Sequence, residues 1–127
     1  MVPFLIVFVG AGIGGAVRHG INLAVVRWLG LNLPFSTLFI NVTGSFAMAI
    51  IIGYFALWSG ASPQHLRLFI TTGILGGYTT FSTFSLDAAS LWESGQPRAA
   101  ILYVALSVGL SMGAMFLGLL LMRSIPR

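Results

Sequence analysis

The chain has 127 residues, of which 57% are hydrophobic and 6% charged; six arginines against two acids give a net charge of +4. Soluble domains carry about 25% charged residues, so a water-facing surface is excluded and the composition defines a membrane protein. The absence of cysteine excludes disulfides and thiolate metal sites, and six isolated arginines without any lysine leave no basic patch for nucleic acid.

A membrane-crossing helix needs about 20 mostly apolar residues. Four stretches meet that length, over about 3–28, 35–58, 66–91 and 99–122. The first lacks a positively charged start, so it is expected to be a retained span rather than a cleaved signal. The breaks LGLNLP (29–34), SGASPQH (59–65) and ESGQPR (93–98) combine Gly, Pro and polar residues as turns do. Trp28, Trp58 and Trp92 fall at expected span ends, the level of the interfacial aromatic belt. The expectation is an all-α membrane protein, a single transmembrane domain over 1–127.

With four spans, Arg67, Arg123 and Arg127 lie on one side; Arg27 and Arg98, with Arg18 if counted, lie on the other. The rule that cytoplasmic loops are positive then has almost nothing to act on. Such a chain is able to insert both ways and form an antiparallel homodimer; the alternative is that other features set one orientation. Four spans are also few to enclose a pore. Gly10/Gly14, Gly73/Gly77 and Gly109/Gly113 are small-residue pairs four apart, which favour close helix contact.

Polar groups at membrane depth face protein or a cavity. Arg18 in GIGGAVRHG is either a snorkelling anchor or a fixed positive charge at a pore mouth. Asn41 in STLFINVTGSF offers a donor and an acceptor, for a helix–helix bond or for a passing ion.

The stretch GGYTTFSTF (76–84) puts five hydroxyls, two glycines and two phenylalanines in nine positions in the third span. Paired glycines followed by β-branched threonines are poor helix formers, and a break is expected there. Backbone groups freed by a break in lipid need protein, water or an ion, and bare carbonyls suit a hard cation such as Na⁺. Phe81 and Phe84 are three apart and share a helix face, either as core or as positive ring edges turned toward an anion.

In the fourth span Tyr103, Ser107 and Ser111 recur every four residues as a polar stripe, with Gly109 and Gly113 roughly opposite. The serines either bond back to their own helix or line a path; the stripe shared with Tyr103 favours the path. Asp87 is the one carboxylate that falls well inside a span. His19 and His65 lack partners at metal-ligand spacing, and no catalytic triad or phosphate-cradling motif is present, so no enzyme is expected.

At GGAVR (14–18), TLFINVTGSF (37–46) and TGILGGYTTFSTFS (72–85) the chain resembles the CrcB/Fluc family of bacterial fluoride channels, over essentially its whole length. The resemblance implies an antiparallel dual-topology homodimer in the inner membrane, with two fluoride pores and a third helix broken mid-membrane. It implies a central structural Na⁺ held by the backbone carbonyls of Gly76 and Thr79. It places the pore phenylalanines at Phe81 and Phe84 and the pore asparagine at Asn41. The polar track falls on Ser82, Thr83, Tyr103, Ser107 and Ser111, and the family arginine, in a vestibule or structural role, on Arg18. Many members have Glu where this chain has Asp87. The expected activity is passive export of cytoplasmic fluoride. The alternative is a small dual-topology, proton-coupled drug or cation exporter, for which Asp87 is the available carboxylate; a membrane scaffold without transport is a third class.

Overall fold

The computed structural model describes residues 1–30, 33–58 and 64–126. Residues 31–32 of the first expected break, 59–63 of the second, the Trp58 ring and Arg127 lie outside the described residues. The described chain is helical, in the order α1 (Val2–Leu29), α2 (Leu33–Trp58), α3 (Gln64–Leu68), a π-helical segment (Phe69–Leu75), α4 (Gly76–Tyr78), α5 (Phe81–Glu93) and α6 (Pro97–Arg123).

Prolines open α1 and α6, where a missing N–H leaves no bond unmade. Gly30 closes α1 in the left-handed conformation, φ 60°. Gly95, φ 79°, turns the chain from α5 into α6, so the expected break at 93–98 shrinks to a tight turn. Among the described residues, three helices are long and apolar enough to cross a membrane: Val2–Leu29, Pro34–Leu57 and Pro97–Arg123.

The segment expected as a span over 66–91 is divided. Gly76 and Gly77 stay helical, with Gly76 at φ −63°, ψ −36°. The extended residues are Thr79 (φ −77°, ψ 159°) and Thr80 (φ −154°, ψ 118°). Branching at Cβ favours that conformation over helix.

The glycines instead govern packing. α1 runs parallel to the 64–78 segment, and at their crossing a Cβ on Gly10 meets the Gly73 Cα at 2.8 Å. A Cβ on Gly14 meets the Ile74 carbonyl, and one on Gly77 the Ala11 backbone. Both pairs are thus consumed in contacts within the chain. Gly109 and Gly113 have no neighbour within 4 Å of such an added Cβ, so that face of α6 is open. α2 and α6 form the most extensive helix pair and also run parallel, Ala49 against Gly118 and Gly53 against Met122. The core sits where α2, α5 and α6 meet, around Ile40, Ala49, Phe84 and Tyr103. The outer faces carry large apolar side chains such as Phe4, Phe8 and Phe116, as a lipid-facing surface does.

Candidate functional site

Two extended residues inside a helical bundle release peptide groups from the helical ladder, and buried ones must be re-paired. Thr79 N–H still reaches the Leu75 carbonyl at 3.0 Å. At Thr80 the partner is a side chain of α2. Thr80 N–H donates to Asn41 Oδ1 at 2.8 Å, and Asn41 Nδ2 donates to the Thr80 carbonyl at 3.0 Å. From the other side, Arg18 Nη1 approaches the Thr79 carbonyl at 3.4 Å, a long contact.

Thr80 is also the N-cap of α5. Its Oγ1 accepts from Thr83 N–H at 3.2 Å, donates to Thr83 Oγ1 at 3.1 Å and lies 3.2 Å from Ser82 Oγ. Just before the interruption, the Tyr78 and Thr43 hydroxyl oxygens meet at 2.8 Å and tie α4 to α2.

An aromatic file follows. Phe81 and Phe84 ring centres are 5.3 Å apart, and Phe84 and Tyr103 are 5.5 Å apart. Phe84 is buried, whereas Phe81 is 78% exposed. The file ends where the Tyr103 hydroxyl donates to Asp87 Oδ2 at 3.2 Å, with both residues buried.

A cavity of about 410 Å³ lies between α2, the extended pair and α6, walled by Asn41, Thr79, Thr80, Phe81, Phe84, Ser107 and Ser111, with Met48, Met112 and Met115 among its apolar lining. Ser107 Oγ and Ser111 Oγ are buried and have no hydrogen-bond partner. They do not bond back to their own helix. A buried hydroxyl without a partner costs free energy, and both residues belong to the cavity wall.

Asn41, Thr79, Phe81, Phe84, Ser107 and Ser111 therefore converge on one space. The other expected residues lie outside the lining of this cavity. Ser82 and Thr83 turn into the Thr80 cap. Tyr103 donates to Asp87, with Thr37 and Ser107 also beside its hydroxyl. Gly76 is in α4, and Arg18 leans on Thr79. Thr80 is the residue that sequence reasoning passed over. Its signal was an N-cap threonine just ahead of a helical run.

Among the described residues no group of three His, Cys, Asp or Glu is able to hold a metal. Near the interruption the oxygens suited to a hard cation are neutral backbone carbonyls. The extended conformation of Thr79 takes its carbonyl out of the helical ladder, with Arg18 Nη1 3.4 Å away.

Long apolar helices around a cavity with polar and aromatic walls define a multi-pass membrane protein with the elements of a conduit. A family model described as "CrcB-like protein, Camphor Resistance (CrcB)" matches residues 5–119, and the chain belongs to this family. A protein of Rhodopseudomonas palustris (strain BisB5) named "Fluoride-specific ion channel FluC" is 55% identical over 122 residues, 96% of this chain and 98% of the relative. The protein of that name from Granulibacter bethesdensis is 53% identical over 127 residues, 100% of this chain and 99% of the relative. That from Beijerinckia indica subsp. indica is 52% identical over 122 residues, 95% and 96% of the two chains. The chain is a multi-pass protein of the inner membrane.

Proposed function

We propose that this chain is a passive fluoride channel, active as an antiparallel homodimer with two pores. The observation that carries the reading is the pair of unpartnered hydroxyls, Ser107 Oγ and Ser111 Oγ, in the cavity beside Phe81 and Phe84. Fluoride is small and strongly hydrated. Leaving water requires replacement donors, each weak enough for the ion to move on. Serine hydroxyls one turn apart are donors of that kind, and aromatic ring edges add a shallow positive field. Asn41 retains a second amide N–H after its bond to Thr80. The relatives named as fluoride-specific channels support the choice of ion.

One subunit is incomplete as a conduit. Phe81 is largely uncovered, and Gly109 and Gly113 face open space. A second copy, inserted in the opposite sense, supplies the missing wall. In that dimer the third span is a broken helix, interrupted mid-membrane at Thr79–Thr80. The carbonyls of Gly76 and Thr79 from both subunits are the groups that would hold a Na⁺. Their neutral, compact oxygens fit a hard monovalent cation. A cation there supplies a fixed bridge between subunits and raises dimer stability. Ser82, Thr83 and Tyr103 belong to the outer part of the polar track, and Arg18 to the vestibule. Fluoride enters a cell as the neutral weak acid and is trapped as the anion; a negative-inside potential then drives it out through a passive pore.

The test is fluoride and chloride efflux, side by side, from liposomes carrying the purified protein. Fluoride efflux far above chloride is expected; equal rates reject the reading. The buried carboxylate of Asp87 favours a second reading, a proton-coupled exporter. Asp87→Asn keeps an acceptor for the Tyr103 hydroxyl while removing the charge. Full transport by that variant removes the exporter.

A further inference from the structure

A second cavity, about 550 Å³, follows the first along the same two helices, between the last turns of α2 and α6. Its lining includes Ile52, Gly53, Ala56 and Leu57 of α2, and Leu119, Met122 and Arg123 of α6. Gly53 is covered by Met122, and the small side chain of Ala56 leaves the space beside it unfilled. The groove is apolar along its length, and one charged residue, Arg123, stands at its end.

Charge complementarity selects the occupant. Arg123 has no ion-pair partner among the described residues. The acids of the chain are Asp87 and Glu93. Asp87 is buried with Tyr103, and Glu93 sits just before the other end of α6. The 27-residue length of α6 separates Glu93 from Arg123, roughly 40 Å at 1.5 Å per residue. A helix of that length puts its last-turn arginine at the level of lipid phosphates, with its carbon stem along the apolar wall. A soluble anion would match Arg123 alone, since the groove beside it is lined mainly by apolar residues.

We infer that the α2–α6 groove is a binding site for one anionic phospholipid, an acyl chain lying along Ile52 and Ala56 and the phosphate on Arg123. The site shares no lining residue with the first cavity, and its test does not depend on ion flux. The purified protein in detergent is offered an equal mixture of dioleoyl phosphatidylglycerol and dioleoyl phosphatidylcholine, and the retained lipids are counted by native mass spectrometry. Phosphatidylglycerol is expected to be retained over phosphatidylcholine by about fivefold, the effect of one interfacial arginine. Arg123→Gln brings that ratio to about one. Arg67→Gln, at the same end but outside the groove, leaves it unchanged. Ala56→Trp lowers retention of both lipids. Equal retention by the parent protein overturns the site, leaving Arg123 as a helix-end anchor. So does an Arg67→Gln effect as large as that of Arg123→Gln. Displacement of the bound lipid by inorganic phosphate also overturns it. A change in subunit number in Ala56→Trp with lipid retention intact makes a second copy the occupant and overturns it equally.

Discussion

The amide of Asn41 pairs with both backbone groups of Thr80, accepting from its N–H at 2.8 Å and donating to its carbonyl at 3.0 Å. A side chain of α2 thus does for Thr80 what a neighbouring strand does for a residue in a sheet. The same asparagine lines the cavity. One residue holds the extended pair in place and, with its remaining amide hydrogen, presents a donor to the space beside it.

Asn41→Leu keeps the volume and removes both bonds, leaving the Thr80 N–H and carbonyl unpaired in a site where Thr80 is 8% exposed. Each unpaired buried group costs about 1–3 kcal/mol. Asn41→Asp retains the acceptor for Thr80 N–H, loses the donor and sets a carboxylate against a carbonyl. Its stability is expected to lie between parent and Leu variant in thermal or chemical unfolding. An Asn41→Leu protein as stable as the parent refutes the clamp.

Phe81 and Phe84 are equivalent in sequence and different in place. Phe84 packs between Phe81 and Tyr103 and is 9% exposed, whereas Phe81 is 78% exposed. Phe84→Ala opens a core cavity and is expected to cost about 3–5 kcal/mol. Phe81→Ala removes a surface ring from the isolated subunit and is expected to change its stability by about 0.5 kcal/mol or less. Both substitutions are expected to abolish fluoride efflux. Comparing unfolding with flux in the two variants separates packing from conduction; flux surviving Phe81→Ala contradicts a role for that ring in the path.

The glycine pairs divide in the same way. A methyl at Gly14 runs into the Ile74 carbonyl, backbone against backbone, with Tyr78 N 2.8 Å away. Neither partner is able to swing aside, so Gly14→Ala is expected to destabilise by about 1–3 kcal/mol or more. Gly113 has open space around it, and Gly113→Ala gains helix propensity of up to about 1 kcal/mol within the subunit. Gly113→Leu tests the dimer: cross-linking is expected to show monomer, with helix content retained. A Gly113→Leu protein that remains fully dimeric shows that the open α6 face is not the contact.

Length and apolarity made α1, α2 and α6 legible, because lipid demands long uninterrupted apolar helices and little else mimics them. The cavity residues Asn41, Phe81, Phe84, Ser107 and Ser111 were legible because polar groups at membrane depth are rare enough to stand out. Periodicity gives the face a residue occupies but not what stands opposite. Tyr103 shares a stripe with Ser107 and Ser111, yet Asp87 on α5 lies within its reach and takes its hydroxyl. The glycines of GGY read as helix breakers, since propensity knows nothing of Ala11 on the neighbouring helix, against whose backbone Gly77 packs; the helix runs on through both glycines and the threonines are the extended residues. The π-helical turn over Phe69–Leu75 had no sequence signal that local propensity would register.

The two serines give the sharpest separation of structure from function. A hydroxyl that makes a structural bond destabilises the protein when removed. A buried hydroxyl with no partner does the reverse, because its desolvation is uncompensated. Ser107 Oγ and Ser111 Oγ are of the second kind. Ser107→Ala and Ser111→Ala are therefore expected to be neutral or slightly stabilising in thermal unfolding, while fluoride efflux from liposomes falls. The double variant is expected to lose more flux than either single one, since successive donors replace the water of the same ion. Ser107→Thr restores a hydroxyl, and partial recovery of flux is expected as far as the added methyl fits beside Phe84. Loss of stability in step with loss of flux would mean that these oxygens bond within the fold, and the cavity would no longer offer an ion a donor from α6.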